Sequence, residues 1–272
     1  MKNIRRLLFV TFLFTPLIVS PLFAAEKDKA NTEALAKQLQ NPVASLISIP
    51  FQNNFDSGLG AGQNGTRYTL RFQPVVPSAI NKDWNLITRP ILTYISQDKV
   101  FGNTSQTGLS DTQLELFLSP SSFKEGELIW GAGAIVLMPT ASEAALGTEK
   151  WGVGPSACAL IQNGHWSYGG LVNQLWSVAG NSARSDISQT YLQPFISHTT
   201  SHGSTVTFSS ETSYDWVSHQ WDVPLIAGAS QILPVYGRYV SVGASALYHV
   251  ESPSTVSKWG ARFVITLLLP DR

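Results

Sequence analysis

Charged side chains stand at alternate positions in several stretches of the chain whose other positions are apolar. Arg67 and Arg71, for example, alternate with Tyr68, Leu70 and Phe72. Successive side chains of a β-strand point to opposite faces, so such a stretch would have one charged face and one apolar face. A charged face that lines a water-filled lumen can select and orient solutes by their charge. The residues predicted by this alternation to line a pore are Arg67, Arg71, Arg89, Glu115, Glu127, Glu211 and Arg262.

Two arrangements of these charges are possible. The arginines fall on the second, third and last strand candidates, so they would gather on one wall if the last strand closes on the first. A basic wall facing acidic walls creates a transverse field that orients polar solutes or favours anions near the arginines. Alternatively, the charges pair across the lumen and only keep it from collapsing, because buried charges normally require partners.

A different pair of residues could support catalysis. An outer-membrane lipid hydrolase would need a lipid-facing serine and histidine activated by a third polar group. His165 and Ser167 share a face but adjoin the Asn163-Gly164 turn, and no third member accompanies them. We therefore expect no enzyme activity, no catalytic residue and no cofactor.

Few residues of the chain suggest metal binding or thiol chemistry. No two of His198, His202, His219 and His249 have the spacing of metal ligands with a carboxylate, so we expect no metal site. Cys158 is the single cysteine and cannot form an intramolecular disulfide. Its parity in the strand predicts a small lumen-side residue and not a nucleophile, since no nearby group would activate the thiol.

The elements that carry these residues are short stretches of alternating hydrophobicity separated by turn residues. This pattern is typical of an all-β, transmembrane, antiparallel up-and-down β-barrel, here of about 12 strands. A soluble sandwich would also alternate, but the polar faces are rich in Gly, Ser, Thr and Asn, and the tryptophans fall near strand ends, as in an interfacial girdle. The predicted strands are Val43 to Phe55, Arg67 to Val76, Trp84 to Gln97, Thr112 to Ser119, Glu127 to Pro139, Trp151 to Gln162, His165 to Val178, Ser188 to His198, Ser204 to Tyr214, Trp221 to Leu233, Tyr236 to His249 and Lys258 to Leu269.

The connections alternate in character along this series. Tight periplasmic turns are predicted at Asn163-Gly164, a type I′ signature, and at Pro234-Val235. The loops on the other side are rich in Gly, Ser, Asn and Asp, and they are short, which leaves little surface for adhesion to a protein partner. They are Asp56 to Thr66, Asp98 to Asp111, Thr140 to Lys150, Ala179 to Ile187, Asp215 to Gln220 and Val250 to Ser257.

The N-terminus has the form of a secretory signal peptide. A basic head, an apolar stretch from Leu7 to Phe23 and the small residues Ala24-Ala25 predict cleavage of residues 1–24; an uncleaved anchor is the alternative. Residues 25–42 are predicted to form a short periplasmic helix or linker, with the helix over Glu26 to Asn41. It would rest on the barrel rim, enter the lumen as a plug, or remain a mobile linker. Residues 43–272 form the predicted barrel.

Charged residues make up 13% of the chain, against roughly 25% in soluble domains, which suits a wall that faces lipid. Removing the signal peptide takes away three basic residues and leaves 15 against 18 acidic ones. We therefore expect no nucleic-acid partner. The expected partners are the lipid bilayer and lipopolysaccharide of the outer membrane, small-molecule solutes and the barrel assembly machinery, whose recognition signal resembles Lys258 to Ile265.

Three segments resemble a known family. They are Leu35 to Pro50, with its Asn-Pro-Val-Ala-Ser-Leu-Ile core, Trp176 to Gly180, and Gln193 to Phe195. They are similar to the outer-membrane channel family named for the meta pathway of phenol degradation, whose members are often labelled transporter or mislabelled neuromedin U. The resemblance implies an outer-membrane barrel for passive or weakly selective passage of small molecules, such as aromatic or other small organic compounds, with no assigned catalytic residues. The alternative is a structural or adhesive barrel without an open pore.

Overall fold

The computed structural model describes residues 26–253 and 256–269. The predicted signal peptide, residues 1–24, lies outside the described residues. Within them the chain forms one helix, α1 (Glu26–Leu39), one short 3₁₀ turn, η1 (Ala144–Leu146), and a single antiparallel sheet. None of the helices in these two ranges is long and apolar enough to cross a membrane.

The sheet closes into a barrel of twelve antiparallel wall strands. Three of these are interrupted, so β2 with β3, β5 with β6, and β11 with β12 each form one wall strand. β1 pairs β15 from Ile47↔Leu269 to Ser57↔Trp259, which joins the first strand to the last and confirms the predicted fold. The segments are β1 (Ile47–Leu59), β2 (Gly65–Phe72), β3 (Val76–Ala79), β4 (Trp84–Asp98), β5 (Ser105–Leu109), β6 (Thr112–Pro120), β7 (Leu128–Met138), β8 (Lys150–Asn163), β9 (Trp166–Gly180), β10 (Ser188–Thr199), β11 (Ser204–Ser210), β12 (Thr212–Asp215), β13 (Gln220–Val235), β14 (Arg238–Glu251) and β15 (Trp259–Leu269).

The outer surface of the barrel is apolar and carries two belts of tryptophan. All eight tryptophans are exposed. We call the barrel end at which α1 lies the helix end and the opposite end the loop end. Tryptophans at both ends with an apolar band between them are the arrangement that the two interfaces of a bilayer favour. The belt at the helix end is Trp84, Trp130 and Trp166; the belt at the loop end is Trp151, Trp176, Trp216, Trp221 and Trp259.

The helix α1 enters the barrel at the helix end. Leu35 and Ala36 of the helix are buried against Leu46, Ile232 and Leu268. Val43, which was predicted to start the first strand, instead packs inside the lumen, and β1 begins at Ile47. The structure corrects the prediction because the apolar side chains of residues 43–46 are buried beneath the helix and not in the wall.

A second apolar cluster fills part of the lumen. Cys158 is 4% exposed and lies in this cluster, on the lumen side as its parity predicted. The wall therefore encloses a partly packed interior. The cluster comprises Val43, Ile87, Phe117, Ile129, Cys158, Leu160 and Leu171.

Both predicted turns at the helix end are displaced. Asn163 pairs with Trp166, so the turn residues are Gly164 and His165, one position later than predicted. Of these two only Gly164 has a positive φ, so the turn lacks the two left-handed residues of the predicted type I′ form.

The second displaced turn lies between β13 and β14. The structure places Pro234 and Val235 in β13, and the turn is Tyr236-Gly237, with φ values of 48° and 75°. Val235 pairs with Arg238 across it. Two positive φ values are what a two-residue type I′ hairpin requires, and proline cannot supply one.

Candidate pore and its charged lumen

A cavity of about 810 Å³ occupies the lumen between the loops and the middle of the barrel. We call it the vestibule. It is lined by side chains from β1, β2, β4, β6, β7, β9, β10, β12, β13, β14 and β15, whose inward positions are set by the alternation of the strands. Six of the seven charged residues predicted to line a pore line the vestibule: Arg67, Arg71, Arg89, Glu115, Glu211 and Arg262.

Glu211 holds two arginines in the wall of the vestibule. It lies in the break between β11 and β12, where the chain leaves the regular ladder and the carboxylate can reach across the lumen. Arg262 Nη1 and Nη2 donate to Glu211 Oε1 and Oε2 at 2.5 and 3.0 Å. Arg71 Nη1 donates to Oε2 at 3.4 Å, and Arg262 Nε donates to Asn54 Oδ1 at 2.7 Å. The Glu211 carboxylate thus joins the second, ninth and last wall strands, and Arg262 extends the network to the first.

A second ion pair joins neighbouring strands. Arg89 of β4 lies opposite Glu115 of β6, and Arg89 Nη1 is 3.0 Å from Glu115 Oε2. Asn173 Nδ2 donates to the other oxygen of Glu115 at 3.1 Å. Arg89 Nε and Nη1 are buried and have no hydrogen bond of acceptable geometry, so this guanidinium is incompletely satisfied.

Arg67 differs from the other arginines of the lumen. Its Nε donates to Gln97 Oε1 at 2.8 Å, and in the described ranges 26–253 and 256–269 it makes no ion pair. Asp56 is its register partner on β1 and also lines the vestibule. The guanidinium therefore keeps donors that are free to meet a solute in the cavity.

The prediction for Glu127 is wrong. This residue lies in the exposed turn before β7, where it forms a 3.8 Å ion pair with Lys124 and accepts the Lys124 backbone N–H at 3.1 Å. The alternation of β7 does not extend to it, because the carboxylate caps the turn instead of continuing the ladder.

The charges of the lumen are mostly paired. Three of the four arginines contact Glu115 or Glu211, which is the paired arrangement and not an open basic wall. The lining also contains carboxylates near the loop end, so that acidic groups outnumber arginines seven to four. The acidic residues of the lining are Asp56, Asp111, Glu115, Asp186, Glu211, Asp215 and Asp222.

Two of these carboxylates organise the loop end. Asp111 accepts hydrogen bonds from Ala141 N at 3.1 Å and from Thr148 N and Oγ1 at 2.6 Å, which ties loop 139–149 across the mouth. Asp186 accepts from Lys150 Nζ at 2.9 Å, and this bond holds the pKa of the Asp186 carboxyl below its usual value. Leu146 of the same loop is buried and lines the vestibule.

A contact between a buried histidine and an aspartate was not predicted from the sequence. His249 Nδ1 lies 2.6 Å from Asp222 Oδ1, and both line the vestibule near its mouth. A register shift between Val223 and Pro224 brings the two strands into this alignment. The sequence signal was Pro224, since a proline within a strand often marks a bulge.

The lumen is divided below the vestibule. A second cavity, of about 330 Å³, lies toward the helix end under the residues that follow α1. Gln73, Arg89, Leu171 and Gln193 line both cavities and form the septum between them. The septum and α1 lie one behind the other along the barrel axis.

Polar contacts also fix the helix at the barrel end. Gln162 Nε2 donates to the Lys37 carbonyl oxygen at 2.8 Å, and Glu33 Oε1 is 3.3 Å from His165 Nδ1 and 2.8 Å from Lys37 Nζ. The hydrogen bond from Lys37 lowers the pKa of the Glu33 carboxyl. Gly203 approaches Thr32 so closely that an added Cβ would lie 2.9 Å from the Thr32 Cβ. The helix is therefore seated by shape as well as by hydrogen bonds.

His165 and Ser167 do not form the catalytic pair that a lipid hydrolase needs. Ser167 is 1% exposed, faces the interior and accepts a hydrogen bond from Gln162 Nε2 at 3.0 Å, whereas a lipid hydrolase needs a lipid-facing serine. His165 lies in the turn beside Glu33. In the described part of the chain no group of three His, Cys, Asp or Glu side chains could hold a metal ion.

Comparison with known proteins gives structural matches. No family model matches the chain, and no curated protein matches it. An outer membrane channel from Pseudomonas putida F1 superposes with a TM-score of 0.65 at 11% identity, over 82% of this chain and 94% of the channel. The NanC porin superposes with a TM-score of 0.50 at 10% identity, over 82% of this chain and 100% of the porin. Outer membrane phospholipase A from Escherichia coli is more distant, with a TM-score of 0.46 at 12% identity, over 88% of this chain and 98% of the enzyme.

The fold is that of an outer-membrane β-barrel. The two stronger structural matches are outer-membrane proteins with this architecture, and the tryptophan belts bound an apolar outer band. The predicted location in the outer membrane is confirmed.

Proposed function

We propose that this chain is a passive outer-membrane channel for small solutes, and that the arrangement described here is its closed state. The observation that carries the proposal is the polar vestibule, which reaches the loops and ends at the septum and α1. A barrel of twelve strands is intermediate in diameter between the small barrels filled by side chains and the wide porins, so we expect a narrow lumen. The structural likeness to a channel and a porin agrees with this function.

The solutes of this channel are small and polar or amphipathic. The vestibule combines free donors of Arg67 with the carboxylates at its mouth and with apolar side chains such as Ile91 and Ile95. Such a lining accepts uncharged or zwitterionic molecules more readily than strong anions, because acidic groups outnumber the arginines. Passage of aromatic or other small organic compounds is part of this proposal.

The test is planar-bilayer conductance of the refolded chain from residue 25 onward, compared with a variant that lacks residues 26–42. Removing the helix should raise the conductance per molecule, since it unblocks the helix end. Lys124→Gln is the matched control, because Lys124 lies at the same end in an exposed turn away from α1. Circular dichroism and heat-dependent gel mobility establish that each variant is a folded barrel.

A folded variant without the helix that still shows no conductance steps would contradict the channel. That outcome would favour the second candidate, a structural barrel without an open pore. The specific observation in its favour is the septum, where Arg89, paired with Glu115, and Leu171 of the apolar cluster occupy the lumen between the two cavities.

A further inference from the structure

Five residues of neighbouring strands form one rung of the wall near the loop end of the vestibule. The register pairs are Leu247↔Gly260, Gly260↔Asp56, Asp56↔Arg67 and Arg67↔Gln97, so the rung crosses β14, β15, β1, β2 and β4. It lies close to the loop end, because Gly260 directly follows a tryptophan of the belt there. Leu247, Asp56 and Arg67 line the vestibule.

The side chains of Asp56 and Arg67 diverge along this rung. Arg67 Nε donates to Gln97 Oε1 at 2.8 Å, so the guanidinium leans toward β4. The Asp56 carboxylate leans the other way, toward β15, since a Cβ added to Gly260 would lie 2.5 Å from Asp56 Oδ1. Directly opposed Cα atoms of antiparallel strands are about 4.5–5.5 Å apart, and the diverging side chains widen the space between the two charges.

These two residues are the charges of the vestibule that the wall leaves unsatisfied. Within the described ranges, Asp56 makes no hydrogen bond or ion pair, and the Nη atoms of Arg67 have no partner. The other charged residues of the lining are all bonded: Glu115 to Arg89, Glu211 to Arg71 and Arg262, Asp186 to Lys150, Asp222 to His249, and Asp111 and Asp215 to backbone N–H groups. Partly buried charges normally require partners, yet here one charge of each sign stands unpaired beside the other.

We propose that Asp56 and Arg67 bind a small zwitterion, such as an α-amino acid, near the loop end of the vestibule. The ammonium group of the solute lies at Asp56 and its carboxylate at the Nη donors of Arg67, which gives charge-assisted hydrogen bonds at both ends. A simple cation or anion satisfies one of the two residues, whereas a zwitterion satisfies both and adds no net charge to the lumen. This inference rests on the proposed function, because it names the class of solute that the vestibule admits.

Apolar side chains flank the two charges. Leu247 ends the rung beside Gly260, and Ile95 lies two residues from Gln97 on the same face of β4; both line the vestibule. An amino acid with a small apolar side chain therefore meets apolar surface on either side of its charged groups. The vestibule, at about 810 Å³, has room for such a molecule together with water.

The test is equilibrium binding, measured by ligand-observed NMR titration of the refolded chain from residue 25 onward in dodecyl maltoside micelles, with empty micelles subtracted. The probes are L-valine, isobutylamine, which is valine without its carboxylate, and 3-methylbutanoate, which is valine without its ammonium group. L-valine should bind about tenfold more tightly than either of the other probes, since each of them loses one charge-assisted contact. Equal binding of the three probes, or no binding of valine, would overturn the proposal.

Two substitutions should change the preference among the probes and not only the affinity. Asp56→Asn removes the partner of the ammonium group, so this variant should bind valine no more tightly than 3-methylbutanoate. Arg67→Gln removes the partner of the carboxylate, so this variant should bind valine no more tightly than isobutylamine. Asp98→Asn is the matched control, because Asp98 lies at the next register position, opposite Thr66, but outside the lining; it should keep the full preference. A preference for valine that persists in both substituted variants would overturn the proposal.

Gly260→Ala tests the geometry without removing either charge. The added Cβ would displace the Asp56 carboxylate from its position over β15 and push it toward Arg67. The two residues would then satisfy each other, and valine binding should fall by about tenfold. Heat-dependent gel mobility establishes that each variant is a folded barrel. Unchanged valine binding in folded Gly260→Ala would overturn the placement of the solute between the two charges.

Binding and conductance separate this inference from the proposed function. If the helix-deleted barrel shows no conductance steps but valine binds with the expected preference, the channel fails and the zwitterion site stands. If conductance appears and the three probes bind alike, the channel stands and the zwitterion site fails.

Discussion

Glu211 Oε1 and Oε2 accept hydrogen bonds from Arg262 Nη1 and Nη2 at 2.5 and 3.0 Å, across the lumen and 51 residues apart in the chain. The bidentate geometry is the strongest that an arginine and a carboxylate can form. Because Arg71 shares the same carboxylate, Glu211 stands between two guanidinium groups. The contacts of both arginines in the vestibule therefore depend on a single acidic side chain.

Glu211→Gln should destabilise the barrel by about 3–5 kcal/mol, because it leaves the buried guanidinium of Arg262 without a carboxylate and removes the partner of the more exposed Arg71. The measurement is urea unfolding in lipid vesicles, followed by tryptophan fluorescence. Glu127→Gln is the matched control, since Glu127 lies in an exposed turn, and its effect should stay within about 0.5 kcal/mol. Equal effects of the two substitutions would show that the ion pairs do not hold the lumen together.

Arg71→Gln with Arg89→Gln should shift the reversal potential under a salt gradient toward cation preference. The substitutions leave Glu115 and Glu211 with fewer basic partners in a lining that is already rich in carboxylates. The recording uses the helix-deleted barrel, with Arg238→Gln, outside the lining, as control. An unchanged reversal potential would show that neither arginine determines the ion selectivity.

The contacts of Glu33 with Lys37 and His165, which help to fix the helix at the barrel end, should weaken at low pH. The hydrogen bond from Lys37 lowers the pKa of the Glu33 carboxyl, so its contribution to the stability of the docked helix is complete above pH 4.5, its ordinary pKa. That contribution is lost as the pH falls through the lowered pKa. Glu33→Gln should therefore conduct more than the unsubstituted chain at neutral pH, and the two should converge at the acid end. Glu251→Gln, at the loop end, serves as control; a difference that persists in acid would contradict the assignment.

Asp111→Ala should release loop 139–149 from the mouth of the barrel. The substitution removes the acceptor of three hydrogen bonds, two of them to backbone N–H groups. We expect faster cleavage by a glutamate-specific protease at Glu143 and Glu149. Asp215→Asn is the control, because the hydrogen bonds of Asp215 lie within its own turn. The same cleavage rate in both variants would show that Asp111 does not hold loop 139–149 at the mouth.

Cys158 should not react with maleimide in the folded barrel. It is 4% exposed and lies in one cluster with Phe117 and Leu160. Ser218→Cys, in an exposed turn at the loop end, should label rapidly and serves as the positive control. Labelling of Cys158 at the rate of that control would mean that the apolar cluster is not packed.

Alternation along the strands predicted the barrel, its strand number and six of the seven vestibule charges, because parity is a local property of an extended chain. It failed at Glu127, where a turn ends the alternation, and at Pro234-Val235, where the hairpin needs two positive φ values. Whether the arginines pair could not be predicted, since their partners depend on barrel closure and on the break that frees Glu211. The seat of α1 was also beyond prediction, because its apolar face is short and its contacts come from distant strands.

One of those contacts, Leu268, lies next to the last residue of β15 and is 1% exposed beneath the helix. The final strand thus completes both the wall and the seat of α1. During biogenesis the helix cannot complete these contacts until the C-terminal strand has joined β1, so we expect the newly closed barrel to pass through a state in which its helix end is still unsealed.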